Sequence, residues 1–147
     1  MKYLYFVLAV TFLFSSCKKE KSKKELLLGD WKRITMTIDP PQDVGGAIIT
    51  DLYAQMEDCD KDNIYSFYEN KTYKADEGAT KCDSAEPQSF SGNWQFLNNE
   101  TELKIIYMND TVVYGLLELD ESLLKLDYSG RDTNNVLHTI TTSFEPL

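Results

Sequence analysis

Three sets of residues in this chain have the types and spacing to do chemistry: an acidic run, a single histidine and three cysteines. The run DCDKDNIYSFYE places Asp58, Asp60, Asp62 and, at the twelfth position, Glu69 at the oxygen-ligand spacing of an EF-hand calcium loop, with Ile64 where a backbone carbonyl is expected. Asn63, however, fills the sixth position, where glycine permits the sharp turn, and IYSFY alternates as a strand instead of entering a helix. The run therefore reads first as a solvated acidic turn, and calcium ligation is the competing reading. His138 shares a strand-like face with Val136 and Ile140. An imidazole there is open to acid–base work, but no nucleophile–base motif accompanies it, so it reads as a satisfied core or rim residue. There is no phosphate-cradling glycine loop, Gly-x-Ser-x-Gly or metalloprotease helix. The expectation is a protein that is not an enzyme and takes no cofactor.

The cysteines divide into one and two. Tyr3 to Phe14 is apolar except for Thr11, and at 12 residues it is too short for a membrane anchor, which needs roughly 20. Ser15 and Ser16 then lead into Cys17. This resembles the bacterial lipoprotein signal, in which a peptidase cuts before a cysteine that becomes the acylated N-terminus. Phe14 departs from it, since a smaller aliphatic residue is commoner three positions before the cysteine. The resemblance implies a signal peptide over 1–16 and lipidation of Cys17. Removing Cys17 leaves Cys59 and Cys82, an even pair that an oxidising compartment favours as a disulfide. Two buried free thiols are the other reading, and a zinc site lacks the compact ligand spacing.

Aromatic side chains are the remaining resource. The chain has nine tyrosines and seven phenylalanines, several in strand-like segments. Tyr65, Phe67, Tyr73, Trp94, Phe96, Tyr107 and Tyr114 are candidates to line a cavity for a small ligand. They could equally fill a core or cover the outside, because alternation shows which residues share a face and not which face points inward.

Elements must position these residues. Segments 31–38, 64–68, 72–75, 90–97, 102–108, 111–119, 123–128 and 136–144 read as short strands separated by turn chemistry such as ENK, NNE and DES. One apolar face reads as Leu103, Ile105 and Tyr107, then Val113, Leu117 and Leu119, then Leu124, Leu126 and Tyr128. Eight short strands with close sequential connections point to an all-β meander closed on itself as an up-and-down antiparallel barrel. After PPQDVGG, Ile48, Ile49, Leu52, Tyr53 and Met56 fall at helical spacing, which predicts a short helix between the first two strands.

At this point LLGDWKRITMT, Cys59, DNIYSF, NKTY, Cys82, SGNW and LLKLDY together resemble the lipocalin-like domains of many Bacteroidota lipoproteins. The likeness covers 26–147 and implies an eight-stranded calycin-type barrel, with Trp31, after Gly29, packing at its floor. Trp94 of Gly92-Asn93-Trp94 is expected to pack similarly. Such a barrel can be filled by side chains or hold one small ligand.

Charge narrows the partners. KKEKSKKE, within 17–25, holds five lysines and two glutamates and reads as a flexible linker near the membrane. From Leu26 onward 9 Lys+Arg face 22 Asp+Glu. Nucleic acid is therefore excluded, since it needs a basic footprint. With no basic cluster evident in the strands, the expected ligand is small, apolar or amphipathic, and neutral or cationic. The alternative is a structural or adaptor subunit that meets an envelope protein through the outer barrel surface. The lysine-rich linker is unlike acidic surface-export signals, which favours the periplasmic side of the envelope. Intact-mass analysis of membrane-purified protein is expected to show loss of residues 1–16 and added acyl mass; unmodified, soluble Cys17 protein would contradict the anchor.

Overall fold

Residues that tolerate a left-handed backbone punctuate the strand segments. Lys71, Asn98, Asn99, Glu100 and Asn135 all have positive φ, and each lies in a connection between strands. The computed structural model describes residues 20–108 and 110–147, so the signal-peptide and Cys17 readings lie outside the described residues.

The elements follow in order: α1 (Lys23–Leu27), β1 (Gly29–Val44), β2 (Ala47–Asp51), α2 (Leu52–Gln55), α3 (Asp58–Lys61), β3 (Ile64–Phe67), β4 (Thr72–Asp76), β5 (Ser89–Leu97), β6 (Glu102–Tyr107), β7 (Asp110–Leu119), β8 (Leu124–Arg131) and β9 (Leu137–Pro146). From β3 to β9 each strand pairs antiparallel with the next. β1 then pairs with β3 through Gly29 to Lys32 and with β9 from Trp31 to Asp39, which closes an eight-stranded barrel. Closure leaves no exposed edge in the barrel wall.

The far end of β1 leaves the barrel and pairs with β2 around Gly45-Gly46, both at positive φ, as a two-residue type I′ hairpin requires. The short helix expected between the first two barrel strands is present, but it starts at Leu52 and not at Ile48. The glycine turn folds Ala47 to Ile49 back onto β1, and β-branched Ile48 and Ile49 suit a strand. Helix survives only in α2, capped by the Asp51 carboxylate, which accepts from the Ala54 amide at 2.9 Å, and in α3. The Cys59–Cys82 disulfide joins α3 to the loop between β4 and β5. It closes a separation of 23 residues, worth about 3 kcal/mol on the chain-entropy view.

The linker reading of 17–25 also changes. Ser22 and Glu25 form a reciprocal capping box that starts α1: the Ser22 hydroxyl accepts from the Glu25 amide at 3.2 Å, and the Glu25 carboxylate accepts from the Ser22 amide at 2.8 Å. Serine followed three residues later by glutamate, just before Leu26-Leu27-Leu28, is the sequence signal for that start. Lys23 donates to the Glu100 carbonyl at 2.7 Å, so the segment is docked on the barrel and is no free leash there.

Docking puts Leu27, with no exposed surface, into a core with Trp31, Phe67, Trp94, Leu103 and Leu124. The Trp31 indole donates to the Leu27 carbonyl at 2.9 Å, and the Trp94 indole to the Tyr68 carbonyl at 3.1 Å. Both indoles satisfy their buried N–H in this way, so both pack as floor residues. Leu27→Ala is expected to lower unfolding stability by about 2–5 kcal/mol in chemical denaturation, since the plug cannot collapse into the rigid barrel. Lys23→Ala, at a solvent-exposed contact, is expected to change it by less than about 1 kcal/mol.

Candidate functional site

Strand alternation decides what faces the barrel interior, and two bulges reset it. In β1, Arg33 pairs with Phe144 and Thr35 with Ser143, so Ile34 is an extra residue. Trp31 and Arg33 point inward before the bulge, and Met36 and Ile38 after it. In β7, Leu116 pairs with Leu126 and Glu118 with Lys125, so Leu117 is extra. The expected face of Val113 and Leu117 is thereby corrected: they are 39% and 54% exposed on the outside, while Val112, Tyr114 and Leu116 turn inward. Beyond the bulge Leu119 returns to the core side, as expected.

Above the filled floor the interior opens. One lobe of about 180 Å³ lies among Met36, Phe67, Leu124, Leu126, Tyr128, Ile140, Thr142 and Phe144. A second, of about 280 Å³, lies among Asn63, Ala75, Asp76, Glu77, Phe90, Tyr107 and Val112. Arg33, Tyr65, Tyr73, Ile105 and Tyr114 line both, so the lobes meet around these five side chains. The walls are aromatic contacts made edge to face: Tyr65 against Phe144 with centroids 5.4 Å apart, and Tyr73 against Tyr107 at 6.2 Å. The second contact needs Gly92, which pairs with both tyrosines; a Cβ there would lie 2.1 Å from the Ile106 carbonyl oxygen.

Of the seven aromatic candidates, Tyr65, Phe67, Tyr73, Tyr107 and Tyr114 line the cavity. Trp94 and Phe96 do not. They meet edge to face with centroids 5.6 Å apart and belong to the floor, where Trp94 packs against Phe67. The calcium constellation is not assembled. Asp58 and Asp60 lie in α3, and the Asp62 carboxylate accepts from the amides of Ala79 and Thr80 at 3.1 and 3.0 Å. Glu69 lies beyond the other end of β3, more than about 10 Å along a strand that rises about 3.3 Å per residue. There it faces Lys24 at 3.7 Å.

His138 is buried at the end of β9, where its Nδ1 lies 2.7 Å from the Pro40 carbonyl oxygen and its Nε2 3.4 Å from the Asp132 carboxylate. It clasps β1 to the β8–β9 turn, a rim role.

Arg33 is the residue that sequence reasoning missed. Its guanidinium donates to the Tyr65 hydroxyl and, at 3.1 Å, to the Met56 sulfur, and it lies 5.3 Å from the Tyr65 ring centroid. The strands hold no cluster of basic residues in the lining, but they do place this one cation there. The signal was its two-residue offset from Trp31: alternation puts both on one face, so a floor tryptophan implies an inward arginine.

A family profile described as "Domain of unknown function (DUF5004)" matches residues 14–144. The chain belongs to the DUF5004 family. Among solved structures, this DUF5004 chain is similar to a lipocalin-like protein from Bacteroides uniformis, with 15% identity, a TM-score of 0.50, and coverage of 82% of this chain and 98% of that one. That likeness shows a lipocalin-like fold. A complex of bovine odorant-binding protein with a selenium-containing odorant shares 13% identity over 88% of this chain and 75% of that one, with a TM-score of 0.47. No curated protein matches the chain.

The tyrosines of the DUF5004 cavity stay protonated. Burial raises Tyr65, Tyr73 and Tyr114 above the ordinary phenol value of 10.0, and for Tyr65 the nearby Arg33 charge only partly opposes this. The unfolded chain releases these protons near pH 10 while the folded barrel keeps them, so the folded state binds more protons there. Stability from this source is fully present below pH 10 and is expected to fall as pH rises beyond it. Ultraviolet titration of the native protein should leave three tyrosines un-ionised until alkaline unfolding, and Tyr73→Phe should reduce the loss.

Proposed function

We propose that this protein is a lipid-anchored protein of the bacterial cell envelope that binds a small, predominantly apolar or amphipathic molecule inside its barrel. The observation that carries this reading is the interior itself. A barrel of eight strands can be filled by its own side chains, yet here the filling stops at the floor and leaves two joined lobes walled by aromatic and aliphatic groups. Binding pockets are concave and mostly apolar, with a few placed polar groups, and Arg33 and the tyrosine hydroxyls supply those.

The anchor is supported by the apolar run ending in Ser15-Ser16-Cys17. Because residues leading into α1 dock at the closed end, with Lys21 paired to Glu121 at 2.7 Å, a membrane tether at Cys17 holds the floor toward the bilayer. The mouth then opens toward the aqueous compartment, which we take to be the periplasm. Binding without catalysis is supported by the engagement of the single histidine with Pro40 and Asp132, outside the cavity lining. The adaptor reading is weaker, because Lys104 sits directly across from Val113 and interrupts the exposed apolar residues of β6 and β7.

Native mass spectrometry of the purified protein is expected to show a co-purifying small molecule, and Leu126→Trp, which fills the first lobe, should abolish it. Consistently ligand-free protein that captures one envelope partner would overturn this reading.

A further inference from the structure

Resting on the cavity-binding reading, the geometry points to Arg33 as an anion receptor inside the barrel, and to a ligand with a single anionic head group of the carboxylate type on an apolar body. The side chains that line both lobes with Arg33 are neutral. Its neighbours in the lining are Tyr65, Tyr73, Tyr114, Ile105 and Phe144. None of the ion pairs among the described residues includes Arg33. Its two protein acceptors are a phenol oxygen and a thioether sulfur, a weak acceptor, and its Nε is buried with no hydrogen-bond partner. A guanidinium offers five N–H donors and stays protonated at any physiological pH, and burying a charge unpaired is strongly unfavourable. The site therefore carries a positive charge and donor capacity that no ion pair among the described residues takes up.

Two carboxylates share the outer lobe, and both are engaged elsewhere. Asp76 is held by Lys74 at 2.7 Å and by the Gln88 amide at 3.0 Å; Glu77 accepts from the Cys82 amide at 3.3 Å. Neither forms an ion pair with Arg33, nor does Asp60 of α3, whose charge acts on Tyr65, so no internal carboxylate takes up the guanidinium. Tyr65 accepts from Arg33 and is also hydrogen-bonded by Asn63, and the pair presents a cation and a neutral phenol side by side. One guanidinium flanked by neutral phenols balances one negative charge, which matches a carboxylate and leaves a dianionic phosphate half unpaired. Arg–carboxylate pairs gain further from bidentate geometry in a low-dielectric site. This reverses the ligand charge expected from composition: the two acids in the lining are held by other partners, and the groups shared with Arg33 by both lobes are neutral.

Matched amphiphiles test the assignment. Laurate, lauryl alcohol and laurylamine share one chain and differ only in head-group charge. Titrated calorimetrically into the purified full chain, laurate is expected to bind at least about tenfold tighter than the alcohol, as a charge-assisted hydrogen bond implies, and the amine weakest. Arg33→Met should erase that preference while leaving alcohol binding equal or tighter, which also shows that the variant is folded. Arg33→Lys should keep part of it. If the alcohol binds wild-type protein as tightly as laurate does, or if Arg33→Met keeps the preference, the anion receptor is wrong and the cavity-binding reading stands. If none of the three binds, both fall.

Discussion

The double pairing of β1 is the constraint on which the rest depends. This strand meets β3 on one side and β9 on the other, and its two ladders turn a meander into a closed barrel. Once closed, every residue is committed to an inside or an outside, because successive side chains point to opposite faces. Trp31 then goes to the floor and Arg33 to the cavity. The extra residue at Ile34 resets the alternation, so Met36 and Ile38 also point inward. Without that bulge, the half-turn of phase would put Thr35 and Thr37 inside and make the middle of the cavity polar. Arg33 instead faces a wall of apolar and aromatic groups.

The barrel is built with two unlike ends. At the closed end Leu27 plugs the gap between Trp31, Phe67 and Leu124, and both indole N–H groups end on backbone carbonyls. That end is closely packed, and its buried side chains contribute apolar burial to the core. Toward the mouth, Gly92 keeps the wall thin where Tyr73 and Tyr107 meet, and the space between the walls is left open. The stability of the floor offsets the loss of packing in the cavity. The same low dielectric that keeps Tyr65, Tyr73 and Tyr114 protonated strengthens any electrostatic contact a ligand makes with Arg33.

Much of this was legible beforehand, for identifiable reasons. The eight barrel strands, the disulfide between Cys59 and Cys82 and five of the cavity-lining aromatics follow from period-two alternation, turn residues and cysteine arithmetic. The failures share a cause. Helical spacing at Ile48 and Ile49 was overridden by the Gly45-Gly46 hairpin, so helix begins only at Leu52, and the competing EF-hand reading was overridden by strand β3. Val113 and Leu117 look inward if β7 is read without its bulge. In each case a pattern read within one segment lost to pairing with another strand. The capping box at Ser22 is the exception, since its signal was local and simply outweighed by the lysines around it.

Sequence by itself determined the class: short alternating strands, a floor tryptophan, a cysteine pair and an acidic exterior, all properties of composition and near-neighbour spacing. Only the tertiary structure decided the site. Which face of each strand points inward depends on closure and on single-residue bulges, and a shift of one residue exchanges inside for outside along the whole strand. Arg33 shows the difference most clearly. In the linear chain it is one cation among many acids, whereas in the closed barrel it is a positive charge beside tyrosines, with the two acids of the lining engaged by other partners.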